Sequence, residues 1–135
     1  MKLYKVLRVT MNLREGTVRV RPTLMTTSYN DYIPVGSEPG RWTREVKNPR
    51  RCISGWHLTT NPAAYIRRDN LTAQRYLLAG GTREFCVVFE AEGRKASSDN
   101  ARMNEKYCFG QIRLLREVQR QDWPQAWHDK AAGTS

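Results

Sequence analysis

Hydrophobic and polar residues alternate along several short stretches of the chain, which is the pattern of β-strands. Over 17–23, two valines alternate with Arg19 and Arg21, so this stretch predicts a half-buried strand with a basic outer face. The stretch over 2–10 is rich in β-branched and aromatic residues and predicts another strand. A Glu-Gly turn signal separates the two stretches and predicts a hairpin.

The strongest strand pattern lies over 83–92. Apolar residues would occupy both faces of this strand. One face would carry Phe85, Val87, Phe89 and Ala91, and the other Cys86 and Val88. A strand that is apolar on both faces is expected to be central in a sheet. The stretch over 106–118 also suits a helix, but we predict a strand there, and a short strand over 56–59.

Two helices are predicted. Residues 62–79 are helical in composition, begin with a proline and end before Gly80-Gly81, so we expect the main helix here. Trp123 and Trp127 are four residues apart and could dock a short helix onto the core.

These elements predict a single α+β domain. We expect a bent, mainly antiparallel sheet of about five strands, with the main helix packed on one face and a short C-terminal helix. Residues 1–51 would form a basic hairpin and a long loop, 52–128 the strand-helix-strand-strand core, and 129–135 a frayed tail. The length of 135 residues fits one domain.

The charge of the chain indicates which classes of partner it could bind. The net charge is +10, and residues 1–51 hold 11 basic and 4 acidic residues, against 12 and 9 in the remainder. Such an excess attracts nucleic acid, an acidic protein surface or an anionic membrane, although it could also serve solubility alone.

Three cysteines without a CxxC pair, and only two histidines, exclude a zinc finger, and we assign no metal. No apolar run is long enough for a signal peptide or a membrane span. We therefore expect a cytoplasmic protein without a membrane partner; the oligomeric state stays open.

The irregular stretch over 26–51 holds the candidate binding residues. Aromatic side chains interleaved with cations suit a groove that binds phosphates and stacks bases. The alternative is that Trp42 anchors the loop to the core and the charges are solvated. With the two strand arginines, the candidate partner-binding residues are Arg19, Arg21, Tyr29, Tyr32, Arg41, Trp42, Arg44, Lys47, Arg50 and Arg51.

Short motifs in the second half carry a first resemblance. They are Cys52, Gly55-Trp56-His57, Asn61-Pro62 and the stretches over 87–93 and 112–118. This half of the chain resembles a small family of uncharacterised domains found in phages and prophages. The resemblance implies a phage or mobile-element source and no particular activity.

Three further landmarks occur in chain order: Arg8, the Leu58-Thr59-Thr60 stretch and Glu90-Ala91-Glu92. They resemble those of ADP-ribosyltransferases of the arginine–serine–glutamate class, although a leucine replaces the expected serine. The resemblance implies that Arg8 binds the NAD phosphates, that Thr59 orients the catalytic carboxylate, and that Glu90 or Glu92 stabilises the oxocarbenium ion.

His57 has two interpretations. It could act as a general base near Glu90 or Glu92, because imidazole titrates near neutral pH. The alternative is a histidine that is hydrogen-bonded at the sheet edge.

Three functions follow from these observations. The first, which we favour, is a non-enzymatic binding protein that engages nucleic acid or an acidic host protein of a nucleic-acid-handling or defence system, without a cofactor. The second is an NAD-dependent ADP-ribosyltransferase-like enzyme. The third is a structural or assembly protein of a phage particle.

Overall fold

Five strands and one α-helix lie in the described part of the chain. The structure is a computed structural model that describes residues 1–13, 15–23, 29–71, 82–102 and 105–134. The elements are β1 (Leu3–Asn12), β2 (Thr17–Pro22), β3 (Trp56–Thr59), β4 (Thr82–Ala96), β5 (Lys106–Glu117) and α1 (Gln125–Ala132). The five predicted strands and the short C-terminal helix are thus confirmed.

The strands form a closed antiparallel barrel. β1 pairs with β3, β3 with β5, β5 with β4, and β4 again with β1, while β2 is an additional strand beside β1. Closure depends on β4, which pairs with β1 from Thr82 to Ala91 and with β5 from Phe89 to Ala96. A register shift between Glu90 and Ala91 marks the point of transfer, because a bulge bends a strand and increases its twist.

The predicted sheet with a main helix packed on it is wrong. Within the stretch predicted as helix, Pro62–Ala64 form one 3₁₀ turn and the chain then continues without helix to residue 71; residues 72–80 lie outside the described residues. Backbone contacts elsewhere replace helical ones, because the Asp69 N–H donates to the Ala131 carbonyl and Asn70 forms a bridge with Glu84. Helix propensity is a weak preference that such contacts override.

Two apolar clusters lie on the two sides of the barrel wall. The inner cluster contains Leu7, Trp56, Leu58, Phe89 and Ile112, among others. The partition of β4 agrees with the sequence prediction: its residues 85, 87, 89 and 91 contact the inner cluster, and 86 and 88 the outer one.

The outer cluster is where α1 docks. Trp123, Trp127 and Ala131 pack there against Val6 of β1 and Val88 of β4. Residues 129–132, predicted as part of a frayed tail, belong to α1, which ends at Gly133 with a φ of +75°, and the Thr134 N–H donates back to the Asp129 carbonyl at 2.9 Å. In the described residues, no helix is long and apolar enough to cross a membrane.

Candidate functional site

An extended segment, residues 40–46, covers the edge of β5 that β3 is too short to occupy. β3 pairs with β5 only as far as Phe109, and beyond that point the segment takes its place. Three of its N–H groups, at every third residue, donate to carbonyl oxygens of β5 at 2.8 to 2.9 Å: Gly40 to Leu114, Thr43 to Ile112 and Val46 to Gly110. The segment is therefore fixed to the barrel.

Arg41, Arg44 and Lys47 recur at the same three-residue interval, each directly after a residue whose N–H is bonded to β5. We call these three residues the basic row. An extended chain with three residues per turn rises about 3.1 Å per residue, so neighbouring cations in the row are about 9 Å apart along the chain. The Arg44 guanidinium lies 5.6 Å from the centre of the Trp56 ring, a cation–π contact that fixes its position.

Another side of the segment, which carries Trp42 and Glu45, faces the β4–β5 hairpin. The guanidinium groups of Arg94 and Arg113 lie 4.1 and 5.0 Å from the centre of the Trp42 ring. Glu45 forms an ion pair with Lys95 of β4, which lowers the pKa of that carboxyl group. Trp42 thus packs against two arginines of the β4–β5 hairpin, and it is not a member of either apolar cluster.

The cations over 41–51 form no ion pair with any carboxylate in the part of the chain that the structure describes. All five of them are exposed, namely Arg41, Arg44, Lys47, Arg50 and Arg51. In the described residues, six cations elsewhere pair with carboxylates, and these five do not: the paired ones are Lys2, Arg8, Lys95, Arg113, Arg116 and Arg120. Their charges are thus not neutralised within the described part of the barrel.

The predicted aromatic platform is not formed by Tyr29. This side chain is only 2% exposed and packs edge-on against Tyr32 and Trp56, with ring centres 6.0 and 5.3 Å away. Its burial raises the pKa of its hydroxyl group. Tyr29 is therefore part of the inner cluster and cannot stack on a base.

Of the two strand arginines predicted to bind a partner, Arg19 is exposed and Arg21 is half-buried. They lie on β2, opposite Thr10 and Arg8 of β1, and not on the segment that carries the basic row.

Glu90 and Glu92, the two carboxylates on which the resemblance to ADP-ribosyltransferases depends, each pair with an arginine. Glu90 pairs with Arg116, and with Lys2 at 3.2 Å. Glu92 accepts a hydrogen bond of 2.6 Å from Arg113. Both carboxylates are thus engaged in ion pairs on the barrel wall.

Arg8 lies elsewhere on the same wall. Its guanidinium donates to Glu84 at 3.1 Å. Burial lowers the pKa of Arg8, but the hydrogen bonds to Glu84 and Cys86 outweigh this effect and the pKa is raised. In the β1–β4 register, Arg8 lies opposite Cys86, four residues from the position opposite Glu90. Four residues of strand span roughly 13 Å, so the structure does not bring Arg8 and Glu90 together.

His57 and Thr59 both make local hydrogen bonds. The Thr59 hydroxyl accepts from the Asn61 N–H at 2.9 Å. His57 Nε2 accepts from the Cys52 N–H at 3.2 Å. Burial and the nearby charge of Lys106 lower the pKa of His57 to about 4, so the imidazole is neutral near pH 7 and holds the turn that precedes β3.

In the described residues, no group of three or more His, Cys, Asp or Glu side chains could hold a metal ion. No family model, no curated protein and no solved structure matches the chain.

The sequence interpretation missed Arg94, which extends the basic surface from β4, and Lys5, which is 8% exposed. A signal for Lys5 exists. It shares its parity along β1 with Leu3, Leu7 and Val9, so a strict period of two places its side chain on the apolar face.

Proposed function

We propose that this chain is a binding protein whose basic row holds the phosphate backbone of a nucleic acid. The observation that carries the proposal is the row itself: cations at every third residue of a segment that is fixed to β5, without carboxylate partners in the described residues. A regular line of cations suits a regular line of phosphates. Each cation that contacts a phosphate releases a condensed counterion, which supplies affinity.

The contacts favour phosphates over bases. Tyr29 is buried, and Trp42 is covered by Arg94 and Arg113, so the aromatic side chains near the row are already in use. Phosphate contacts position a nucleic acid without reading its sequence. We therefore expect binding to single-stranded and double-stranded oligonucleotides with little sequence preference.

An acidic host protein is the other partner that the charge admits. An acidic protein surface does not repeat its charges at a fixed interval, whereas the row does, and this difference favours nucleic acid. The phage source, the transferase activity and the structural role stay hypotheses, because no contact in the described residues favours them.

The experiment is a salt titration of oligonucleotide binding, measured by fluorescence anisotropy. If Arg50 and Arg51 contact phosphates together with the three cations of the basic row, the logarithm of the association constant should fall with the logarithm of salt concentration with a slope of about −4, against about −2.5 for the row alone. The Lys47→Gln/Arg50→Gln variant should reduce the magnitude of that slope by about 1.5.

The matched control removes the same charge at another site. Arg67 and Arg83 are exposed, and Arg83 lies on β4 opposite Met11 of β1. The Arg67→Gln/Arg83→Gln variant should retain the parental slope. Equal losses in both variants would show that only net charge matters, and absent or salt-independent binding would exclude nucleic acid as the partner.

A further inference from the structure

The barrel wall has an opening between the ends of β2 and β3. Both strands pair with the same edge of β1, β2 from Leu7 onward and β3 only at Tyr4. Lys5 and Val6 lie between these pairings. A cavity of about 90 Å³ opens at this point, and we call it the wall cavity.

Lys5 reaches the wall cavity from the inner face of β1. Its side chain is 8% exposed. Its Nζ donates to the His57 carbonyl at 2.9 Å and lies 5.5 Å from the centre of the Tyr29 ring. An ammonium group has three donors, and in the described residues no carboxylate accepts from this one.

A buried ammonium group without a counter-ion is unfavourable. Lysine is almost never fully buried unless it is paired, because removing a charge from water costs several kcal/mol that only a close anion offsets. Burial and the charge of Lys106 lower the pKa of Lys5 to about 8. The group is therefore still mainly protonated at pH 7.

A second cation lines the same cavity. Lys106 of β5 contributes to the lining, and its Nζ lies 3.5 Å from the sulfur of Cys52. The imidazole of His57, which also lines the cavity, is neutral near pH 7 and supplies no negative charge. Two lysines thus line one cavity, and in the described residues neither forms an ion pair with a carboxylate.

The remaining lining is largely hydrocarbon. Val6, Pro22 and Leu58 contribute side chains, together with the rings of Tyr4 and Tyr65. An apolar cavity of about 150 Å³ holds a benzene molecule, so a cavity of about 90 Å³ suits a smaller molecule. The lining selects a ligand with one charged end and a short apolar body.

We propose that the wall cavity binds a small organic anion, a carboxylate of two to four carbons. Its carboxylate group accepts from Lys5 and Lys106, and its carbon chain contacts Val6, Pro22 and Leu58. The ligand supplies the counter-ion that Lys5 lacks. This site is separate from the basic row, and it does not depend on nucleic-acid binding.

The experiment is a titration of the whole chain with sodium propionate at constant ionic strength, followed by amide chemical shifts. We expect saturable shifts at β1, β3 and Lys106. Sodium chloride and propionamide, which lack the carboxylate or its charge, should not reproduce them. Across acetate, propionate and butyrate, affinity should rise with chain length until the cavity is filled.

Variants locate the site. Lys5→Met should weaken propionate binding by about tenfold or more, because a charge-assisted hydrogen bond is lost. Lys106→Met tests the second cation in a more exposed position, and should also weaken binding. The Lys47→Gln/Arg50→Gln variant should bind propionate as the parent chain does, which separates this proposal from the proposed function. Unchanged affinity in folded Lys5→Met and Lys106→Met chains, or equal shifts with propionamide, would overturn the proposal.

Discussion

Replacing Lys5 with methionine should change how the stability of the barrel depends on pH. In the folded chain, burial lowers the pKa of Lys5 from 10.5 to about 8. Between these values the unfolded chain binds a proton that the folded chain does not, so the free energy of unfolding rises with pH. Below about pH 8 the full unfavourable contribution of the buried charge is present.

The size of the effect follows from the interval between the two pKa values. At about 1.36 kcal/mol per pKa unit, the buried charge destabilises the fold by about 3 kcal/mol near pH 7. Lys5→Met removes this contribution and also removes the hydrogen bond to the His57 carbonyl, which contributes about 1 kcal/mol. The variant should therefore be about 2 kcal/mol more stable than the parent chain near pH 7.

The assay is urea unfolding of both chains at several pH values from about 7 to 11, without organic acids in the buffer. The advantage of the variant should shrink by about 1.4 kcal/mol per pH unit above pH 8 and reverse near pH 10, where the lysine of the folded parent chain is neutral. Burial raises the pKa values of Tyr65 and Cys108, but both groups are present in both chains, so their contributions cancel in the difference.

A matched control uses a lysine of the same chain that is exposed. Lys47→Met should leave the difference in stability between variant and parent constant over this range, because Lys47 is exposed. Parallel curves for Lys5→Met and the parent would refute the reasoning, since they would show that the Lys5 ammonium group is solvated.

Three further predictions concern single side chains. Through His57, the parent chain should lose about 1–2 kcal/mol of stability as pH falls from 6.5 to 4, because the unfolded chain takes up a proton on this imidazole at a higher pH than the folded chain does. The His57→Gln variant should not show this part of the loss. Thr43→Val leaves the buried Ile112 N–H without its acceptor and should cost about 1–3 kcal/mol in urea unfolding. Gly93→Ala places a methyl group 2.3 Å from the Phe109 ring and should cost about 1–3 kcal/mol, part of which a Phe109→Leu change should recover.

For each of these three variants, one result would contradict the structural interpretation behind the prediction. Identical acid unfolding of His57→Gln and the parent would mean that the imidazole is charged in the folded chain. A Thr43→Val chain of parental stability would show that the hydroxyl does not hold the segment over 40–46 to β5. Strictly additive effects at Gly93 and Phe109 would place the two side chains out of contact.

The sequence determined the strands of this protein. A period of two is a local property, since successive side chains of a strand point to opposite faces wherever the strand lies. For that reason the pattern predicted the strand over 56–59 with the correct bounds and the two faces of β4. The burial of Trp123 and Trp127 was likewise readable from their spacing.

The local hydrophobic pattern gave wrong predictions at positions whose neighbours come from distant parts of the chain. Val18 was expected on a buried face, yet it is 48% exposed, because β2 is the additional strand beside the barrel. Tyr29 was expected at a binding surface, yet Trp56 and Tyr32 enclose it. The prediction of the main helix was wrong for its described residues, because the backbone N–H groups of Asp69 and Asn70 donate to carbonyls of α1 and β4 instead of to a preceding helical turn.

The net charge predicted an acidic class of partner from the sequence, whereas the arrangement of the cations depends on the tertiary structure. The sequence already placed five cations over 41–51, but only their pairing with β5 at every third residue arranges three of them in a row. The wall cavity had no signal as a site, since it forms where two strands leave the same edge of β1. The alternation of hydrophobic and polar residues thus determined the strands and placed Lys5 on the apolar face of β1. The pairing between strands that are distant in sequence decided that the sheet closes and where its wall opens.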